Sequence, residues 1–282
     1  MMLLLALLLQ TASTQSPPAQ SPPPPPPLHG GPQQMVCPVG GESFSAWQPT
    51  MYSTYGERPD GKPYSYLPLP FPVPECPTNK LLLFDSFSAE EVAALTGIIA
   101  TPDYVRLIDT DTTYYRAYWL ATRLGRPKSQ SLGLLLSAIW QVSPGAMTPP
   151  STTNTDAQLR RYQALFVGEV QKLAATSDLK DQTWLLARAA NAARQMGQFR
   201  EAQQLLDRAE QLLAGVSDKR GWDGYVAKLR IVIARRDVNV EPLDMIPEQA
   251  IASTCTRRDH PNAFDRGICS QPAIAAQIAK MR

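Results

Sequence analysis

The chain has 282 residues, 44% hydrophobic, 18% charged and 8% aromatic, with a formal net charge of +2 from 27 basic and 25 acidic residues. That balance excludes the basic excess of a dedicated nucleic-acid binder, and two histidines leave little room for a His-rich metal site. The length allows one or two domains, but nine of the 27 prolines fall between Pro17 and Pro32, so the composition is uneven.

Leu3–Leu9 (LLLALLL) is followed by the small or polar residues Gln10, Thr11, Ala12 and Ser13. Such a core is too short to cross a bilayer of roughly 30 Å as a helix. It fits the h-region of a secretory signal, although no Lys or Arg precedes it. Residues 1–15 are therefore predicted to be a signal peptide of a bacterial periplasmic or secreted protein. No later stretch is apolar for long enough to predict a membrane span. Residues 16–34 (SPPAQSPPPPPPLHGGPQQ) carry no charge and six consecutive prolines, Pro22–Pro27. That composition favours a polyproline II rod of about 3 Å per residue and predicts a disordered spacer. His29, lying in it, is expected to be solvated.

Residues 35–84 read as a small Cys/Pro-rich module. Cys37-Pro38-Val39-Gly40-Gly41 opens it and Cys76-Pro77-Thr78-Asn79 closes it. Each looks like a C-x-x-C zinc knuckle that keeps only its first cysteine, with Gly40 and Asn79 in the second places. Two thiolates make a poor structural zinc site. In an exported protein the simpler outcome is a Cys37–Cys76 disulfide, and no metal is predicted. The aromatics Phe44, Trp47, Tyr52, Tyr55, Tyr64, Tyr66 and Phe71, among many prolines, predict short strands and turns around a small core. Asp60-Gly61 is a hairpin turn signal.

From residue 85 the period switches to 3.6, and residues 85–236 are predicted to be a helical domain. Ser88 to Glu91 is a capping box, and Thr101-Pro102 supplies an N-cap and an N1 proline. Tyr114–Leu124 and Ser129–Trp140 form one helical hairpin. Asp156–Ala175 is a long amphipathic helix. Asp181–Met196 and Gln198–Leu213 form a second hairpin, with Gly221–Arg236 after it. In the second hairpin Leu186, Ala189, Ala190 and Ala193 precede Gly197, Phe199, Ala202, Leu206 and Ala209. This spacing resembles a tetratricopeptide repeat: alanines let the helices cross closely, and Gly197 takes the left-handed turn. The first hairpin matches more loosely, through Tyr114, Ala117, Tyr118, Ala121 and Gly125, then Leu135 and Ala138.

Together these features are similar to a widespread, uncharacterised bacterial family that joins an N-terminal pair of CPxCG knuckles to tetratricopeptide-like hairpins. The resemblance covers roughly residues 35–214. It implies a mainly α fold: a tetratricopeptide-like helical hairpin repeat body with a small N-terminal β/loop, rubredoxin- or zinc-ribbon-like module. Zinc binding is not implied, because two of the four ligands are absent.

Residues 237–282 are predicted to be a tail with a polar loop between Cys255 and Cys269 and a final helix at Gln271–Arg282. A second disulfide, Cys255–Cys269, is expected from export. Asp259-His260 inside the loop and the Asp109-x-Asp111 pair have ordinary structural readings, the latter as a helix N-terminal cluster.

No nucleotide, hydrolase-elbow or metalloprotease motif occurs, so no catalytic residue and no cofactor is predicted. The partner-binding groove is predicted at Trp184, Arg188, Asn191 and Arg194, spaced by 3 and 4 opposite the alanine stripe, where Arg and Asn suit a peptide carboxylate or backbone. Tyr115 and Arg116 are secondary candidates. The expected function is an exported helical-repeat scaffold for a protein or peptide partner. The alternatives are an envelope-associated hydrolase, or a metal- or redox-handling protein using its cysteines. Sequence leaves the oligomeric state open.

Overall fold

The computed structural model describes residues 29–145, 155–173, 178–219 and 221–281. The predicted signal peptide and most of the Pro-rich spacer lie outside the described residues. The spacer ends earlier than expected. Gly30–Val36 forms strand β1, antiparallel to β2 at Ser43–Pro49, with Gly30 opposite Pro49 and Val36 opposite Ser43. His29 is also engaged: its Nδ1 lies 2.9 Å from the Tyr66 hydroxyl, and its carbonyl accepts the Thr50 N–H.

A second hairpin pairs β3 (Thr54–Glu57) with β4 (Pro63–Ser65). Asp60-Gly61 turns it as the sequence predicts. Gly61 has φ +85°, and a Cβ there would lie 3.0 Å from the Arg188 guanidinium, so conformation and space both call for glycine.

The two knuckles face each other. Cys37 and Cys76 form a disulfide with Cα atoms 5.8 Å apart. Their turns match. The Cys37 N–H donates to Glu42 O and the Cys76 N–H to Leu81 O, while the carbonyls of Cys37 and Cys76 accept from Gly41 and Lys80. Gly41 and Lys80 share a positive φ, 70° and 60°. A Cβ on Gly40 would lie 3.9 Å from Asn79 Nδ2, so the two positions lacking cysteine also meet. The disulfide does not sit in a core of its own. Cys37, Cys76, Leu81 and Leu82 pack with Leu95, Tyr104, Ala117 and Leu120 of the first helices. A core shared across residue 85 ties the module to the helical body.

The remainder is helical: α1 Ala89–Ile98, α2 Pro102–Thr110, α3 Thr113–Arg123, α4 Lys128–Val142, α5 Thr155–Gln171, α6 Leu179–Gln195, α7 Phe199–Leu213, α8 Trp222–Ala234, α9 Glu248–Arg257, α10 Ala263–Cys269 and α11 Pro272–Met281. The Ser88 capping box and the Thr101 N-cap form as predicted. Gly197, at φ +79°, ends α6 in the left-handed turn. From α3 to α8 each helix packs on its neighbour, and α4 also meets α6, and α6 meets α8. That is the contact pattern of stacked antiparallel hairpins. The alanines Ala187, Ala189, Ala190, Ala193, Ala202 and Ala209 are wholly buried, and their small side chains let α6 and α7 approach closely.

The tail differs from expectation. The stretch between Cys255 and Cys269 is no open loop: α9 ends beyond Cys255 and α10 occupies most of the rest. A disulfide joins the two cysteines, Cα to Cα 5.9 Å. Asp109 lies in the last turn of α2, whereas Asp111 closes α2 and directly precedes Thr112, the N-cap of α3. No helix among the described residues is long and apolar enough to cross a membrane.

Candidate functional site

The expected groove residues do come together, on α6, but they do not face solvent. Arg188, Asn191 and Arg194 are 2%, 1% and 0% exposed. The prediction of an open groove is corrected: the β3–β4 turn of the same chain fills it. Arg188 Nη1 donates to the Pro59 carbonyl at 2.6 Å, and the Tyr225 hydroxyl donates to that oxygen, also at 2.6 Å. Trp140 Nε1 donates to the Asp60 carbonyl at 3.1 Å. The rings of Trp184, Trp222 and Tyr225 surround the Arg188 guanidinium, with centroids 5.8, 5.4 and 4.9 Å from its carbon. Arg194 is spent on Asn191 Oδ1 and the Asp237 carbonyl. The secondary candidates are also enclosed: Arg116 pairs with Glu75, and Tyr115 stacks on Tyr162 with centroids 4.7 Å apart.

The inserted turn carries an ionic cluster that the sequence did not announce. Arg58 and Asp60 form a buried pair, and Asp60 Oδ1 also accepts the Lys62 backbone N–H at 3.1 Å. Lys62 Nζ donates to the Trp140 carbonyl at 3.0 Å. The Tyr64 hydroxyl donates to Glu241 Oε1 at 2.7 Å, and Arg257 reaches Glu241 Oε2 at 3.2 Å. A small cavity of about 40 Å³ lies among Arg58, Lys62, Tyr64 and Glu241. Burial, helped by the charge of Arg58, pulls the Lys62 amine down to about 8. Burial alone raises Asp60, but the charge and hydrogen bonds of Arg58 outweigh it and hold the carboxyl below its ordinary value. These residues are scattered from 58 to 257, and only the fold assembles them.

The module's aromatics are the second correction. Only part of the expected core forms: Tyr64 is buried beside Leu243 and Ile246, and Phe44 packs against the core around the Cys37–Cys76 disulfide, whereas the others form an exposed face. Trp47, Tyr52 and Tyr66 are 40%, 45% and 47% exposed, and Met51 is 70% exposed. Phe71 lies between Trp47 and Tyr52, at centroid distances of 5.7 and 4.8 Å. Trp47 covers Gly30, where a Cβ would collide with the indole. Tyr66 meets His29 edge-on at 4.8 Å. On the other side of Trp47 a shallow groove of about 280 Å³ is lined by Phe44, Pro72, Val73, Pro74 and Pro77. The signal available in the sequence was the Pro-x-Pro-x-Pro-x-Pro run from Pro68 to Pro74, which forms neither helix nor sheet beneath the aromatics.

All four cysteines are in disulfides. Among the described residues no group of three or more His, Cys, Asp or Glu side chains is placed to hold a metal ion. No family model, no curated protein and no solved structure matches the chain.

Proposed function

We propose that the protein is an exported helical-repeat scaffold that binds a protein or peptide partner, and that the partner contacts the aromatic face of the N-terminal module. The single observation that carries this reading is the exposure of Trp47, Met51, Tyr52 and Tyr66, with Trp47 and Tyr52 both resting on half-buried Phe71, on a disulfide-stapled support. Soluble monomers seldom leave large apolar rings together in water unless something docks on them. The stacked hairpins support a tetratricopeptide-like body. The matched knuckle turns support descent from a paired-knuckle, ribbon-like module whose ligands were replaced by one disulfide. Two disulfides fit an oxidising compartment, in line with the predicted signal.

A carboxyl kept protonated in a pocket would favour the hydrolase alternative; Asp60, the carboxyl at the centre of the ionic cluster, is shifted the other way. A metal-handling role would draw on free thiolates, and all four cysteines are in disulfides, which favours a structural role for them.

A photo-crosslinking side chain placed at Tyr52 tests the reading. It is expected to capture a discrete partner in the envelope fraction, whereas the same group at exposed Ile231 on α8 captures none. Capture from position 231 alone moves the binding face to the helices and overturns the assignment.

A further inference from the structure

The aromatic face has a chemistry narrower than general stickiness. It is uncharged across Trp47, Met51, Tyr52, Tyr66 and Phe71. Neither the Trp47 indole N–H nor the Tyr52 hydroxyl makes a hydrogen bond to another described residue. Flat rings with free donors at their edges match one kind of ligand well. A polyproline II segment presents ring faces for stacking and carbonyls that no N–H of its own can satisfy.

Such a segment belongs to the chain itself. Residues 16–28 are uncharged, include eight prolines, and run directly into the face at His29. The chain is pinned from that point: the His29 carbonyl accepts the Thr50 N–H, Gly30 pairs with Pro49, and the His29 ring rests on Tyr66. Only Leu28 separates this anchored corner from Pro27. Polyproline II is stiff in general, and a one-residue tether would leave such a run no room to turn back onto rings beside its own attachment. In the polyproline II form that its composition favours, at about 3.1 Å per residue, a run of this length would reach roughly 34 Å, far enough to meet another molecule.

We propose that the aromatic face takes up the proline-rich segment, residues 17–27, of a second copy of this chain, so that two copies exchange segments reciprocally in a two-fold dimer. This rests on the reading of the face as a binding surface and names its occupant. The indole N–H of Trp47 and the Tyr52 hydroxyl donate to proline carbonyls, while Trp47, Phe71 and Tyr52 stack on the rings.

The test uses the full chain, the double variant Trp47→Ala/Tyr52→Ala, and a variant with Pro22–Pro27 replaced by alternating Gly and Ser. Light scattering is expected to give twice the chain mass for the parent at high concentration and the single-chain mass for both variants. A synthetic peptide of residues 16–28 is expected to shift the Trp47 indole resonance of the proline-replaced variant. Adding Trp47→Ala/Tyr52→Ala to that variant should weaken the peptide at least tenfold. Unchanged far-ultraviolet circular dichroism shows that each variant folds. A parent that stays monomeric at all concentrations overturns the proposal, even if the peptide binds, because the segment is then held within one molecule. A peptide that binds no variant also overturns it. If crosslinking from Tyr52 still captures another partner in that case, the scaffold reading survives and only the occupant is wrong; if both fail, the face is not a binding surface.

Discussion

At the residue scale, Arg194 and Lys62 show how burial turns a plausible surface residue into a structural one. Arg194 is fully enclosed, with burial pulling its pKa down to about 10. Its guanidinium satisfies Asn191 Oδ1 and the Asp237 carbonyl. Arg194→Ala leaves both acceptors without a donor and opens a cavity, so a loss of about 2–4 kcal/mol is expected in urea denaturation. A loss below about 0.5 kcal/mol, as at a solvated position, contradicts this. For Lys62 the folded-state value is lowered, from 10.5 to about 8. Below pH 8 both states are protonated and the folded state bears the full cost of burying the charge. Between about 8 and 10 the folded state releases its proton first and the unfolded chain binds more, so stability rises with pH, by on the order of 1–2 kcal/mol. Near pH 10 the slope reverses, because burial pushes Tyr104 and Tyr114 up to about 12 and their ionisation favours the unfolded chain. Urea midpoints are expected to increase from about pH 7.5 to about 9.5 in the parent and to stay level in Lys62→Met. An equal slope in both proteins assigns the effect elsewhere.

Elements were legible where side chains and backbone agreed locally. The capping box at Ser88, the Thr101-Pro102 start and the Gly197 turn are satisfied within a few residues, so their pattern predicts them. Helix α9 has no side-chain cap at Pro247 and only ten residues, so it depends on tertiary support from Tyr64, Leu243 and Ile246. Helix α10 is shorter, yet Asn262 caps it by accepting the Asp265 N–H, a signal that was readable. The alanine stripe marks the packed side of α6, but the opposite side reads as an open groove for a partner, because periodicity cannot show that a hairpin of the same chain lies across from the helix. The knuckles offer a sharper test at this scale. Gly40 and Asn79 face each other beside the disulfide. Gly40→Cys with Asn79→Cys, under reducing conditions, is expected to bind one zinc ion by mass spectrometry and thiolate absorbance. A side chain at φ +92° strains position 40, at roughly 1–2 kcal/mol. That is small against the roughly 10–16 kcal/mol of a four-thiolate site. If reduced double-cysteine protein takes up no more zinc than the parent, the two turns do not share ribbon geometry.

At the scale of the whole molecule, the β3–β4 hairpin is the joint on which the parts meet. Its turn is held by Arg188, Tyr225 and Trp140 from three helices, its Tyr64 by Glu241, and Gly56 lies so close to Pro247 that a Cβ would stand 2.4 Å from that ring. The inner face of the helical stack thus already holds a peptide, by its backbone carbonyls, and that peptide is covalently part of the chain. One consequence is mechanical. Module, body and tail cannot open separately while this joint holds, so the slowest amides of β4, α6 and α9 are expected to exchange with a common opening free energy. Arg188→Ala removes the donor to Pro59 and the cation enclosed by three rings. It is expected to lower protection in all three elements together, by about 2–3 kcal/mol. A loss confined to α6 shows the hairpin to be a local contact; a parallel loss in β4 and α9 shows that the inner face of the stack is where the molecule is joined into one cooperative unit.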